Sequence, residues 1–312
     1  MNIRPESTTL DERHQRYYTP PRSLAAYERR STHGGASGRG PLGAARDVVS
    51  CDRSKPPISM GLSIDEALDN VVVVTGAHAG IGGSALTAML AWVLHDRAFD
   101  CALIDADFDA GGLDVLLGLE GDPGIRFGQI DAPLGRIEGD ALNHDLMRWE
   151  GVRVLPHTPG ETGHPDWWVV QASIQALAGM NQVVLVDAGQ GELLERLPQF
   201  CASMTVVVAE LSVLGLARTS AYLQRLETWG CMSPLLVGME PRGLPKTSRA
   251  VGIGEAGEYL NRNFVGRIVA SPRLGGEIHD GLGIRSVPRC IRGVLETLAD
   301  RIEGTMAFGR DG

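Results

Sequence analysis

Three short stretches hold residues whose types and spacing suit work on a phosphorylated ligand. The apolar run VVVVTG leads directly into GAHAGIGGSALTAML, so a glycine-rich turn stands between a buried strand and the start of a helix. Glycine lets the backbone bend and approach an anion closely, while the unpaired N–H groups and dipole of the helix stabilise negative charge. Gly76, His78, Gly80, Ile81, Gly82, Gly83, Ser84 and Ala85 are the candidate contacts. Such a turn also serves tight packing alone, so its meaning depends on what else reaches the same place.

Two further stretches bring carboxylates. IDADFDAGGLDVLLGLE ends an apolar strand in Asp105 and Asp107, and QVVLVDAGQG ends another in Asp187 before a pair of glycines. The carboxyl ends of strands in an open α/β sheet face its ligand crevice. Aspartates there can hold Mg²⁺ through water or activate an attacking water. Singly, each also fits a helix N-cap or a strand-ending turn. The three stretches in this order are far more specific than any one of them.

The elements around them follow an alternating pattern. Short β-branched runs are expected as strands at Val71 to Thr75, Cys101 to Asp105, Val152 to Pro156, Val183 to Asp187, Met204 to Ala209, Pro234 to Gly238 and Val265 to Ala270. Helical spacing marks Gly83 to His95, Trp168 to Ala178, Leu214 to Glu227, Gly254 to Asn263 and Pro288 to Glu303. The fold class this predicts is α/β, a doubly wound and mostly parallel sheet of about seven strands with helices on both faces. Residues 1–69, rich in Arg, Ser, Gly and Pro, are expected as a flexible tail, and 70–312 as the ligand-binding domain.

Composition narrows the function. A net charge of -9 over 312 residues argues against a whole-protein footprint for nucleic acid or anionic lipid. No apolar run approaches the roughly 20 residues of a membrane helix, and the first residues lack a signal-peptide core, so a cytoplasmic location is expected. Cys51, Cys101, Cys201, Cys231 and Cys290 are odd in number and widely spaced, and are expected as reduced thiols. Trp167 and Trp168 open a helix as expected packing anchors.

The order of glycine loop, IDADFDAGGLDVLLGLE, VRVLPHTPG and VVLVDAGQG resembles the MinD/ParA deviant-Walker ATPases, P-loop NTPases of the SIMIBI type. GIRFGQIDAPLGRIEGDALNHDLMRWEGVRVLP is further similar to the CpaE/TadZ pilus-assembly and septum-site-determining branch. The resemblance covers about Val71 to Ile302. It implies ATP and Mg²⁺ as cofactors and Ser84, Asp105, Asp107 and Asp187 around the metal, with Asp107 as the water-activating residue. It further implies a homodimer and, as partners, a pilus or secretion ATPase or division proteins that recruit the chain to a pole, septum or inner membrane face. Neither specific nucleic-acid binding nor direct membrane insertion is expected, since GTMAFGRDG lacks a basic amphipathic face.

One departure governs the expected chemistry. The family loop KGGxGK[ST] lies over His78 to Ser84, so the signature lysine falls on His78 and the phosphate-gripping lysine on Gly83. The only lysines in the chain are Lys55 and Lys246. Losing such an ammonium removes a charge-assisted contact of about 1.5–3 kcal/mol, and more where transition-state charge develops. An arginine such as Arg218 or Arg273 is a candidate replacement, and His78 is expected either as a switchable cation or hydrogen-bonded to nearby backbone. Weak ATP binding with at most slow hydrolysis is therefore expected, with a scaffold that binds no nucleotide as the alternative. A third reading, a dinucleotide-dependent oxidoreductase, draws on TGAHAGIG, but no Tyr-x-x-x-Lys follows it.

Overall fold

The computed structural model describes residues 69–130, 132, 136–158, 164–243 and 249–310. The expected tail falls almost entirely outside them, as do Lys55 and Lys246. The described residues belong to one compact unit, Met60–Gly312.

Eight strands form its sheet: β1 (Val71–Gly76), β2 (Cys101–Asp105), β3 (Met147–Trp149), β4 (Val152–Leu155), β5 (Val183–Asp187), β6 (Met204–Glu210), β7 (Leu235–Met239) and β8 (Phe264–Ile268). Their order is β3-β4-β2-β5-β1-β6-β7-β8, parallel throughout except for β3 against β4. The helices are α1 (Gly83–Asp96), α2 (Leu113–Leu117), α3 (Gly139–Asp145), α4 (Trp167–Ala178), α5 (Glu192–Arg196), α6 (Val213–Trp229), α7 (Ile253–Leu260), α8 (Pro272–His279) and α9 (Arg289–Arg310).

The side-chain period of two in a strand divides the apolar runs between two cores. Val72 and Val74 of β1 pack with Leu103, Leu185, Val206 and Val208 beneath α1 and α9, through Leu86, Leu90, Leu94, Leu295 and Leu298. Val71 and Val73 face the other way, joining Ile104, Val184 and Val186 under α4 and α6 through Ile174, Leu177, Leu223 and Leu226. Central strands covered on both sides explain why VVVV and VVLVD are apolar at every position. Each such buried side chain contributes about 1.5–3 kcal/mol.

β3 is absent from the sequence expectation. It pairs antiparallel with β4 across Glu150 and Gly151, both with positive φ (47° and 86°), as a two-residue hairpin requires. A Cβ on Gly151 would meet the His95 ring at 2.1 Å, so glycine is required there by space as well as by angle. α9 also runs to Arg310, beyond the expected Glu303, because Ile302 and Met306 continue its buried stripe past Gly304.

One expectation about thiols is corrected. Cys201 and Cys231 are joined in a disulfide, with Cα atoms 4.5 Å apart; Cys101 is buried and free, and Cys290 exposed and free. A separation of 30 residues hides the pairing in the sequence, because it depends on the 3-10 turn Pro198–Ala202 lying beside the end of α6.

Candidate functional site

β1 lies between β5 and β6, so the turn that leaves it sits over the carboxyl ends of three neighbouring strands. In that turn Gly80 and Gly82 have φ of 76° and 97°, left-handed values that strain any other residue. Gly82 caps α1 without a side-chain hydrogen bond, and no acidic residue occupies the first turn of the helix. Its leading N–H groups are thus left for an outside acceptor. Cβ atoms on Gly80 or Gly83 would meet nothing within 4 Å, so the concave side of the loop is open. Gly76, Ile81 and Ala85 are buried and fix its base.

The two aspartate-bearing strands end in one row. Asp105 and Asp187 are direct partners in the β2–β5 register, and Val74 pairs with Asp187 on the other side. Asp187 accepts from the Gly189 N–H at 3.4 Å, and the Ser84 hydroxyl lies close enough to hold its pKa down. Burial pushes the Asp187 carboxyl up to about 6, with the Ser84 and Gly189 donors opposing and the Asp107 charge adding to the rise. Asp107 is half-buried against the same turn: a Cβ on Gly189 would fall 2.4 Å from its Cγ. Its pKa is raised by burial, against the Ala110 N–H, with Asp109 raising it further and His157 lowering it. Ser84, Asp107 and Asp187 therefore share one crevice.

Asp105 has a different environment. Its Oδ1 accepts from the Asp107 N–H at 3.2 Å and its Oδ2 from the Leu113 N–H at 3.1 Å, so both oxygens hold the loop that leads to α2. Burial, then the charge of Asp187, raises its pKa well above the usual carboxylate range.

The post-β5 turn is tied to β1. Gly76 N–H donates to Gly189 O at 2.9 Å, and the Thr75 hydroxyl donates to the same oxygen at 3.0 Å. Thr75 Oγ1 also lies 2.5 Å from the Tyr222 hydroxyl of α6, whose ring neighbours Trp229 at 6.3 Å and carries the Arg225 guanidinium 5.8 Å from its centroid.

At the two lysine positions the structure places no ammonium. His78 Nδ1 donates to Ala79 O at 3.0 Å, the second of the two roles expected of it, while Nε2 lies 3.9 Å from Glu210 Oε2 at the end of β6. Of the arginines considered from sequence, Arg273 pairs with Glu277 at 2.9 Å and Arg218 is exposed on α6. Sequence reading also passed over His157, which ends the run after β4. It is buried, leaves Nδ1 without a partner and packs edge-on against Phe108 at 5.1 Å. Its position past the end of a parallel strand was the available signal. Trp167 packs against Phe108 at 5.6 Å, as an anchor should, whereas Trp168 is 46% exposed.

No family model matches the chain. A structure of the MinC:MinD cell division complex from Aquifex aeolicus superposes with a TM-score of 0.61 at 19% identity, covering 75% of this chain and 96% of that one. The chain has the MinD/ParA fold.

Another MinD/ParA-fold structure, the septum site-determining protein MinD complexed with Mg-ADP from Pyrococcus horikoshii, aligns with a TM-score of 0.55 at 16% identity over 75% of this chain and 96% of its own. In sequence, an uncharacterised Mycobacterium tuberculosis protein is 29% identical over 249 residues, covering 76% of this chain. The chain spans 63% of that relative's length. Among the described residues, no helix is long and apolar enough to cross a membrane.

Proposed function

We propose that this chain is a nucleotide-responsive positioning protein that binds Mg-ATP on the Gly76–Ala85 loop and turns it over slowly at most. The observation that carries the proposal is the convergence of an open, uncapped helix start, the Asp187 end of β5 beside Ser84, and Asp107 against the turn that follows β5. Backbone N–H groups of Gly80 to Ala85 would hold the phosphates, and Ser84 and Asp187 would hold Mg²⁺, directly or through water. The donor set fits: a hydroxyl, the buried Asp187 and the half-buried Asp107, both with raised pKa values, are what a divalent cation stabilises. Mg²⁺ supplies charge neutralisation of the phosphates when bound. Asp107 would orient the attacking water, while Asp105, with both oxygens occupied by N–H groups, holds the Asp107-to-Leu113 loop in place.

The absent lysines favour slow turnover. A backbone cradle can bind a triphosphate, whereas a cation beside the β/γ-phosphates gains most when charge moves in the transition state. By its sequence likeness to the CpaE/TadZ and septum-site branch, the bound state would dimerise and dock pilus, secretion or division machinery, with partners bringing the chain to the membrane. The test is a Mg-ATP titration followed by melting temperature. Ligand at about 100 times its dissociation constant adds about 2.7 kcal/mol of stability. Absence of any shift, with a responding control protein, would favour the second reading, a scaffold without nucleotide, for which the loss of lysine at both His78 and Gly83 is the supporting observation.

A further inference from the structure

The glycine loop has lost its ammonium groups, yet a cation lies against it from another direction. Arg242, three residues beyond β7, brings Nη2 to 3.4 Å from where a Cβ would stand on Gly82, with Met239 Cε at the same distance. Gly82 is the cap of α1, so this guanidinium sits over the end of a helix whose dipole repels cations. Among the described residues no carboxylate pairs with it; the nearby Glu240 is taken by Arg267 at 3.4 Å. An unpaired guanidinium facing the positive end of a helix would gain from an anion held between the two. Its planar fork of donors matches phosphate oxygens better than an ammonium does.

We propose that Arg242 supplies, from the loop after β7 of the same chain, the phosphate-contacting cation that Gly83 and His78 no longer provide. This rests on the nucleotide reading given above. Nucleotide binding would then join the end of β7 to the start of α1, two elements that a lysine within the loop would leave independent. Arg242 is exposed, so its substitution leaves the core untouched.

The test measures Mg-ATP affinity by calorimetry for the full chain, Arg242→Ala, Arg242→Lys, and Arg242→Ala combined with Gly83→Lys, alongside the unliganded melting temperature of each. Arg242→Ala is expected to weaken Mg-ATP about 10- to 100-fold with an unchanged unliganded melting temperature. Arg242→Lys should retain part of the affinity, and Gly83→Lys should restore it in the alanine background. If the parent chain binds and Arg242→Ala binds equally well, the arginine has no such role and the nucleotide reading survives. If affinity falls but neither lysine recovers it, the loss is structural and the proposal is overturned. A parent chain that binds no Mg-ATP sinks both.

Discussion

The Ser84 hydroxyl lies close enough to the Asp187 carboxyl to lower its pKa, which brings the first turn of α1 to the end of β5. That proximity, with the Gly76 N–H and Thr75 hydroxyl bonds to Gly189 O, brings the glycine loop and the post-β5 turn together. It also opposes the rise that burial imposes on a nearly water-free carboxyl. Ser84→Ala should raise the Asp187 pKa above about 6, and NMR titration of labelled aspartate should detect the shift; an unmoved resonance would mean the hydroxyl donates elsewhere.

Asp187 makes stability depend on pH. Its folded pKa, about 6, stands above the usual 3.8, so between those values the native state holds a proton that the unfolded chain has lost. Stability from this group is present below pH 3.8 and declines as pH rises through about 6, a difference on the order of 3 kcal/mol. Asp187→Asn should therefore match the parent near pH 4 and melt higher at pH 7. Parallel pH profiles for the two proteins would refute the assignment. The same substitution should abolish any stabilisation by Mg²⁺, so a gain in stability would accompany a loss of function.

Gly83 invites a lysine. A Cβ there meets nothing within 4 Å, and the residue begins a regular helix without positive φ. Gly83→Lys should fold with an unliganded melting temperature close to the parent and bind Mg-ATP about ten-fold or more tighter, as a charge-assisted contact of about 1.5–3 kcal/mol allows. Equal affinity in the two proteins, by calorimetry, would place the phosphates away from this turn.

Gly189 is the opposite case. Its φ is 48°, and a Cβ would lie 2.4 Å from Asp107 Cγ. Gly189→Ala must displace Asp107 and the turn after β5, so any ATP turnover should fall more than Mg-ATP affinity. Steady-state hydrolysis compared with a binding isotherm separates the two; an equal fall in both would show that Asp107 matters only to binding.

The Cys201–Cys231 bond closes a 30-residue stretch. Loop entropy assigns such a closure about 3–4 kcal/mol, which for a domain of this size lowers the melting temperature by about 10 °C on reduction. Melting with and without reductant, checked by alkylation mass, tests it. Full alkylation of both thiols without reductant would show that the pair is open.

Most of the positioning framework was legible because it is local. Asp105, Asp107 and Asp187 end uninterrupted apolar runs, and parallel-sheet geometry alone sends such residues to one edge. β3 was not legible, since three residues carry no period; only the Glu150-Gly151 pair marked its hairpin. Arg242 and the Cys201–Cys231 pair escaped for another reason. Each depends on where a loop from a distant element comes to rest, and nothing within ten residues of either specifies that. The sequence resemblance set Asp107 apart from Asp105, but what Asp105 holds was invisible, because it depends on which N–H groups its two oxygens meet.

The contact of Thr75 with Tyr222 acts as a strut. Its far end is fixed midway along a 17-residue helix, a rod of about 25 Å. The turn carrying Gly189 and Gly191 cannot rise or settle without breaking that brace or tilting the rod. The rod so braced presents Val213 and Leu214, 81% and 59% exposed, at its leading end.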